Sequence, residues 1–251
     1  MSSYKRLYHI SDIHIRQHQR HGEYREVFSN FCNMLRQDKA GKDSILVCTG
    51  DVLHSKTQLT PECIELTREF FREVSSILPT VVIAGNHDAN LSNLTRQDAL
   101  SPILEPIMAD KKGKNLHYFK NTGVYTMKNL SFAVISVFDE TFPSIKEHPK
   151  NTLKVALYHG TLDGAKTDQD YKLQSSMKQS AFSAYDLTLL GDIHRHQFLS
   201  PRMEYAGSMI QQNFGETLDL HGYVLWDLVD MQSQFIEVPN QYGFATFLLR
   251  N

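Results

Sequence analysis

Cysteine is scarce in this chain of 251 residues: Cys32, Cys48 and Cys63 are the whole complement, and no C-x-x-C pair occurs. An odd number without paired spacing speaks against a disulfide framework. Cys48 and Cys63 fall in apolar patterns, so buried free thiols in a reducing compartment are expected. Charge of one sign is also lacking. Lys and Arg number 26 against 28 Asp and Glu, for a net charge of −2. That gives no global pull toward nucleic acid or membrane, and any DNA contact must be a local patch. No uninterrupted apolar run approaches the ~18 residues that span a bilayer, and Met1–Arg6 is followed by no apolar signal core. A soluble intracellular protein without membrane contact is expected, in the cytoplasm or the nucleoid or nucleus. Internal repeats, low-complexity tracts and linkers are missing too, so one domain over residues 1–251 is expected.

What the chain does have is a repeated kind of junction. Thr80-Val81-Val82-Ile83 is a β-branched run that reads as a buried strand, and it ends abruptly in Gly85-Asn86-His87-Asp88. Leu7–Ile10 leads into Ser11-Asp12-Ile13-His14. Ser44–Cys48 leads into Thr49-Gly50-Asp51, with His54 three residues on. Lys154–Tyr158 leads into His159-Gly160, and Leu187–Leu190 into Gly191-Asp192-Ile193-His194, with His196 beyond. A single junction of this kind is explained by a helix cap or a core histidine. Five point to one site assembled at the C-terminal ends of buried strands, where open α/β sheets bind their ligands.

Read in order, the pattern predicts a helix over residues 23–37. A second covers 62–78, started by Thr60-Pro61 and stopped by Pro79. A broken helical pattern follows over 94–108, restarted at Ser101-Pro102. This β-α-β-α-β-α order implies parallel strands with right-handed crossovers. Strands over 123–127 and 130–138 surround a polar turn and read as antiparallel. The polar stretch 163–180 is a candidate active-site loop. Short strands of antiparallel character follow at 197–199, 203–206, 222–228, 235–238 and 244–249. The expected fold class is α/β: two sheets face to face with helices outside.

Asp12, His14, Asp51, Asn86, His159 and His194, with a seventh group, are too many ligands for one ion. They suit two divalent ions about 3.5–4 Å apart, with Asp51 as the natural bridge. Carboxylate, amide and imidazole without thiolate favour manganese or iron, with zinc also open. Two such ions clamp an in-line displacement at phosphorus and lower the pKa of a bridging water, which argues phosphoester hydrolysis. His87 is placed to protonate the leaving alkoxide or stabilise the transition state without binding metal, and His54 is a second candidate for that role. The bland reading of His54 is a surface loop residue.

D-x-H, G-D, G-N-H-D, a later His-Gly and G-x-x-H, in this order between Asp12 and His194, resemble the calcineurin-like metallophosphoesterase superfamily. The resemblance implies a metallophosphoesterase β-sandwich of two mixed sheets flanked by helices, with two metals at the strand ends. Gly50-Asp51-Val52-Leu53-His54-Ser55 and Asp88 depart from the G-D-x-V-D-R-G and G-N-H-E of protein Ser/Thr phosphatases. They are similar to the SbcD-type DNA repair nucleases, as are Tyr205-Ala206-Gly207-Ser208, Asn213-Phe214-Gly215-Glu216 and Gly222-Tyr223-Val224-Leu225-Trp226-Asp227. This finer resemblance implies DNA as substrate, exonuclease and endonuclease activity, Mn2+ as the metal, and a coiled-coil ATPase of SbcC type as partner. It also implies a four-helix homodimer contact through the helices at 62–78 and 94–108, where Ile64 and Phe71 lie off the main apolar face.

The sequence departs from the family in two ways. The last motif is usually G-H-x-H, whereas Gly191-Asp192-Ile193-His194 stands here. Matching the glycines gives Asp192 the first histidine's ligand role and His194 the second. The rival is His196 as ligand, with Asp192 orienting it. Family members also carry a capping domain and an ATPase-binding segment, and none is expected in this chain. Two other readings stay open: a small-molecule phosphodiesterase or phosphatase, and a catalytically weak partner-binding subunit.

Overall fold

A computed structural model of the protein describes residues 3–110 and 115–247. Twelve strands among these residues form two six-stranded sheets. The first sheet is built around β1 (Arg6–Ile10), β2 (Ser44–Cys48), β3 (Thr80–Val82) and β4 (Leu116–Tyr118), which run parallel. It is completed by β11 (Gly222–Asp227), antiparallel to β1, and β12 (Gln232–Glu237), antiparallel to β11. The second sheet has the order β5-β6-β7-β8-β10-β9. Its strands are β5 (Gly123–Met127), β6 (Leu130–Ile135), β7 (Leu153–His159), β8 (Leu187–Gly191), β9 (Gln197–Ser200) and β10 (Met203–Tyr205). This is the mixed-sheet α/β sandwich that the junction pattern and the motif resemblance together anticipated.

The layers follow from strand periodicity, since alternate residues face opposite sides. Leu7, Val47, Val81 and Ile83 of the first sheet meet Phe132, Val134, Leu157 and Leu189 of the second, with Trp226 between them. Tyr8, Ile10, Leu46 and Cys48 face the other way, onto Phe31, Phe70 and Phe71. Those aromatics belong to α1 (His21–Gln37) and α2 (Pro61–Ile77). The Thr60 side chain caps α2 by accepting from the Cys63 amide, with Pro61 at the first helical position. Among the described residues, the outer face of the second sheet has no helix of this kind. Leu162, Ala165 and Phe182, from the connection between β7 and β8, cover Ala156, Tyr158 and Leu190.

Several expectations change on folding. The broken helical pattern over 94–108 is helical only from its expected restart at Ser101-Pro102, as α3 (Ser101–Ala109); before it, Asp98 accepts from the amides of Leu100 and Ser101 and residues 94–100 form no helix. Phe71 is fully buried, and Ile64 is half-buried against the same core, so both are used within the domain. β10 pairs with β8 in parallel rather than antiparallel fashion, because the chain leaving β8 crosses the site and returns with β9 outermost. No strand forms over 244–247: the Gln211 side chain occupies the Phe244 backbone at both N and O, at 2.6 and 3.2 Å. Leu248 and Leu249, also assigned to that strand, lie outside the described residues. The three cysteines are free and buried. No helix among the described residues is long and apolar enough to cross a membrane.

Candidate metal centre

The parallel strands β1, β2, β3, β7 and β8 all deliver their C-terminal ends to one edge of the sandwich. Past β1 and β2 the two turns stay laddered together: Asp12 N donates to Gly50 O at 3.1 Å and His14 N to Asp51 O at 2.9 Å. In these turns the backbone enters the left-handed region at Asp12, His14 and Asp51, and it does so again past β8 at Asp192. Such conformations cost on the order of 1–3 kcal/mol each and persist only where surrounding structure over-determines them. Gly85 is required for a different reason: a Cβ there would stand 2.2 Å from Asp51 Oδ1. Asp88 ties the second and third turns together. Its carboxylate accepts from the amides of Gly85, Leu53 and Val52 at 2.9, 2.9 and 3.2 Å.

The side chains converge on Asp51. Its Oδ1 lies 3.3 Å from His159 Nε2, which is 3.0 Å from Asn86 Oδ1. Its Oδ2 lies 3.4 Å from His14 Nε2, which is 3.0 Å from His194 Nε2. Asp12 Oδ1 sits 3.8 Å from His14 Nε2 and 3.9 Å from His194 Nε2. Asp12, His14 and His194 could together hold an ion, as could Asp12, Asp51 and His159. The imidazoles of His159 and His194 are aimed by their other nitrogens. His159 Nδ1 meets Thr49 O at 2.7 Å, and His194 Nδ1 meets Glu216 Oε1 at 2.8 Å. Their Nε2 atoms are thereby turned into the cluster, as metal-binding histidines require.

Burial and charge pull against each other here. Burial alone would lower His159, but the charge and hydrogen bond of Asp51 hold it up to about 10. Burial likewise opposes the charged form of Asp51, and the histidines around it bring its carboxyl well below the usual range. Asp12 is pushed up to about 6 by burial, against His159 and His194. A group of carboxylates and imidazoles with converging oxygen and nitrogen atoms, buried except for the partly exposed His194, fits hard divalent cations.

His87 and His54 form the open side. His14, His54 and His87 could also hold an ion among them. The His87 ring stands edge-on to His14, with centroids 4.9 Å apart, and its Nδ1 meets the His54 carbonyl at 2.8 Å. Its backbone amide donates to Asp51 Oδ1 at 2.8 Å, so residue 87 is registered directly to the centre. His54 is lowered by burial and by the Arg16 guanidinium beside it.

Asp192 reaches the edge of the cluster. Its amide donates to both Asp12 oxygens at 3.2 Å, and its Oδ2 accepts from the Thr161 hydroxyl at 2.5 Å. It borders a cavity of about 280 Å³ with Asn86 and His159, and another of about 360 Å³ with His194 and Tyr171. The 163–180 stretch lines both cavities. His196 goes elsewhere. Its ring stacks on Phe235 at 4.4 Å and meets Phe198 edge-on, toward the layer between the sheets. Thr49, Asp88, Thr161 and Glu216 were not marked as site residues from the sequence. The one signal for Glu216 was its place in the Asn213–Glu216 motif.

The calcineurin-like phosphoesterase family model matches residues 5–196. The chain belongs to the calcineurin-like phosphoesterase family. The members of that family are phosphoesterases that work with divalent metals. The chain is 44% identical over 254 residues to a mimivirus protein described as "Uncharacterized protein R555", covering 96% of this chain and 19% of that relative. It is 23% identical over 201 residues to "Putative phosphoesterase 244L" of Invertebrate iridescent virus 6, covering 77% of this chain and 68% of that one. The chain therefore spans about a fifth of the mimivirus relative's length.

Proposed function

We propose that this protein is a two-metal phosphodiesterase that hydrolyses DNA, the nuclease partner in an SbcCD-like repair complex with a coiled-coil ATPase. The observation that carries the reading is the place of His54. The G-D-x-x-H-S form distinguishes this chain from protein phosphatases, and His54 joins His14 and His87 at the mouth of the centre.

Asp12, His14 and His194 would hold one ion and Asn86 and His159 the other, with Asp51 facing both and Asp192 beside them. When bound, the two ions, Mn2+ in this reading, supply Lewis-acid stabilisation of charge at a phosphoryl group. His87 is half-exposed at the open side and carries its imidazole where a leaving oxygen can be protonated. The His54 carbonyl accepts at His87 Nδ1, which leaves Nε2 as the nitrogen that works on substrate. The ATPase partner and self-association through α2 and α3 belong to the same reading, tested by co-purification and light scattering.

The test is incubation with labelled single- and double-stranded DNA and Mn2+, beside bis-p-nitrophenyl phosphate. Cleavage of DNA is expected. Hydrolysis of the small ester with no DNA cut would replace this reading with a small-molecule phosphodiesterase. Metal uptake with neither substrate cut would leave a partner-binding subunit.

A further inference from the structure

We propose that Glu216 is the positioning residue for His194, and that it makes the two halves of the centre unequal, so that the half bounded by Asp12, His14 and His194 takes up its ion first. The inference rests on the two-metal reading above.

The two imidazoles that are aimed into the cluster are held by different chemistry. His159 Nδ1 donates to a neutral backbone carbonyl, Thr49 O. His194 Nδ1 donates to a carboxylate whose side chain is 3% exposed. That carboxylate is built in. Oε1 also accepts from Asn213 Nδ2, and Oε2 accepts from the Gln212 amide, each at 2.7 Å. The Glu216 carbonyl accepts from Gln211 Nε2 at 2.9 Å. Gln212 Nε2 in turn donates to the carbonyls of Ile13 and Ile210, between Asp12 and His14 on one side and the 211–216 loop on the other. Glu216 is therefore locked to the same turn that carries Asp12 and His14.

A carboxylate on the far nitrogen of a ligand histidine fixes its orientation and makes the near nitrogen a stronger donor to a cation, more so than a neutral carbonyl does. The His194 half thus has Asp12, its share of Asp51, and Glu216 one hydrogen bond away. The His159 half has its share of Asp51, Asp192 beside it, a neutral amide at Asn86 and only a neutral carbonyl, Thr49 O, behind its imidazole. The two ligand imidazoles thus differ in what holds their far nitrogen, a carboxylate in one half and a neutral carbonyl in the other, and the difference resides in a residue that touches no ion.

The experiment is calorimetric titration of the full chain with Mn2+, for wild type, Glu216→Ala and Glu216→Gln, with cadmium NMR on the same proteins. Wild type should show two separable steps. Glu216→Ala should weaken one of them roughly 10–100-fold and leave the other in place. Glu216→Gln, which keeps an acceptor and loses the charge, should fall between, and one cadmium resonance should move while the other stays. A general structural loss would disturb both resonances. If Glu216→Ala does not fold, the glutamine variant and its resonance decide. Unchanged steps, or both weakened alike, overturn the role of Glu216 while the metal reading stands. A wild type that takes up no Mn2+ overturns that reading and this inference together.

Discussion

His159 and Asp51 lie 3.3 Å apart at the strand ends, and His9 and Glu204 lie 3.6 Å apart between the sheets. Both pairs are buried. At the strand ends the charges survive: His159 is held up to about 10 despite burial, and Asp51 is held low. Between the sheets they do not. Burial drives His9 down to about 3 and Glu204 up to about 8, with the Trp226 indole only partly offsetting the latter. The difference lies in the donors around each carboxylate. Asp51 accepts from the His87 amide and faces two imidazoles. Glu204 has the Trp226 Nε1–H on one oxygen and no partner on the other, and His9 Nδ1 is likewise unpartnered. A histidine beside a buried carboxylate is an ion pair only where further hydrogen bonds satisfy the charges. Thr49 stands between the two arrangements: its hydroxyl meets His9 Nε2 at 2.9 Å, and its carbonyl aims His159.

The sharpest way to exploit the contrast is at the open edge of the charged cluster. His87→Ala should lower kcat by roughly 10²–10⁴-fold, the range for a lost general acid, and leave manganese content unchanged. Metal analysis of the purified variant beside hydrolysis of bis-p-nitrophenyl phosphate checks it. A halved stoichiometry would make His87 a ligand.

The neutral pair is probed by pH. Glu204 has a folded pKa raised from 4.5 to about 8, so its contribution is fully present below pH 4.5 and is lost as pH rises through about 8. His9 has the opposite sign: lowered from 6.5 to about 3, it contributes above pH 6.5 and loses that as pH falls. Glu204→Gln should therefore gain stability relative to wild type between pH 5 and pH 8, by a few kcal/mol, with no change in metal affinity. Denaturant unfolding at several pH values measures it, and parallel wild-type and variant curves would show that Glu204 is charged in the folded protein.

Asp192→Asn should weaken manganese binding at least about tenfold, whereas His196→Ala should leave both ions in place. Calorimetry separates them; loss of an ion from the His196 variant alone would reverse the assignment. The smallest effect expected is on the His196 variant's stability. Removing its stack on Phe235 should cost about 1 kcal/mol, read as a lower denaturation midpoint at unchanged slope.

The site was legible where the sequence places polar residues against the local grain. Where a β-branched strand ends in Gly-Asn-His-Asp, Gly85 and Asp88 shape the turn but the side chains of Asn86 and His87 do not, and five such ends identified Asp12, Asp51, Asn86, His159 and His194 as neighbours before any contact was known. The parallel half of the first sheet was legible for a related reason, since strand and helix alternate at crossover length. Short strands such as β4, and the parallel seating of β10 on β8, were not, because three residues carry no period and pairing partners are set by what the edge of the sheet leaves open. The 244–247 segment fits a strand by composition, yet the Gln211 amide takes its backbone groups.

The sequence by itself determined which residue types stand at the strand ends and the family to which that order belongs, because both are properties of the chain read in one direction. Only the tertiary structure decided what each histidine and carboxylate does. His9, His159, His194 and His196 are the same residue in the sequence. One is neutralised between sheets, one is ion-paired, one is aimed by Glu216 from 22 residues away, and one stacks on Phe235. Protonation and orientation depend on the donors, acceptors and solvent that surround a group in space. Those arrive from segments distant along the chain, and no local pattern encodes them.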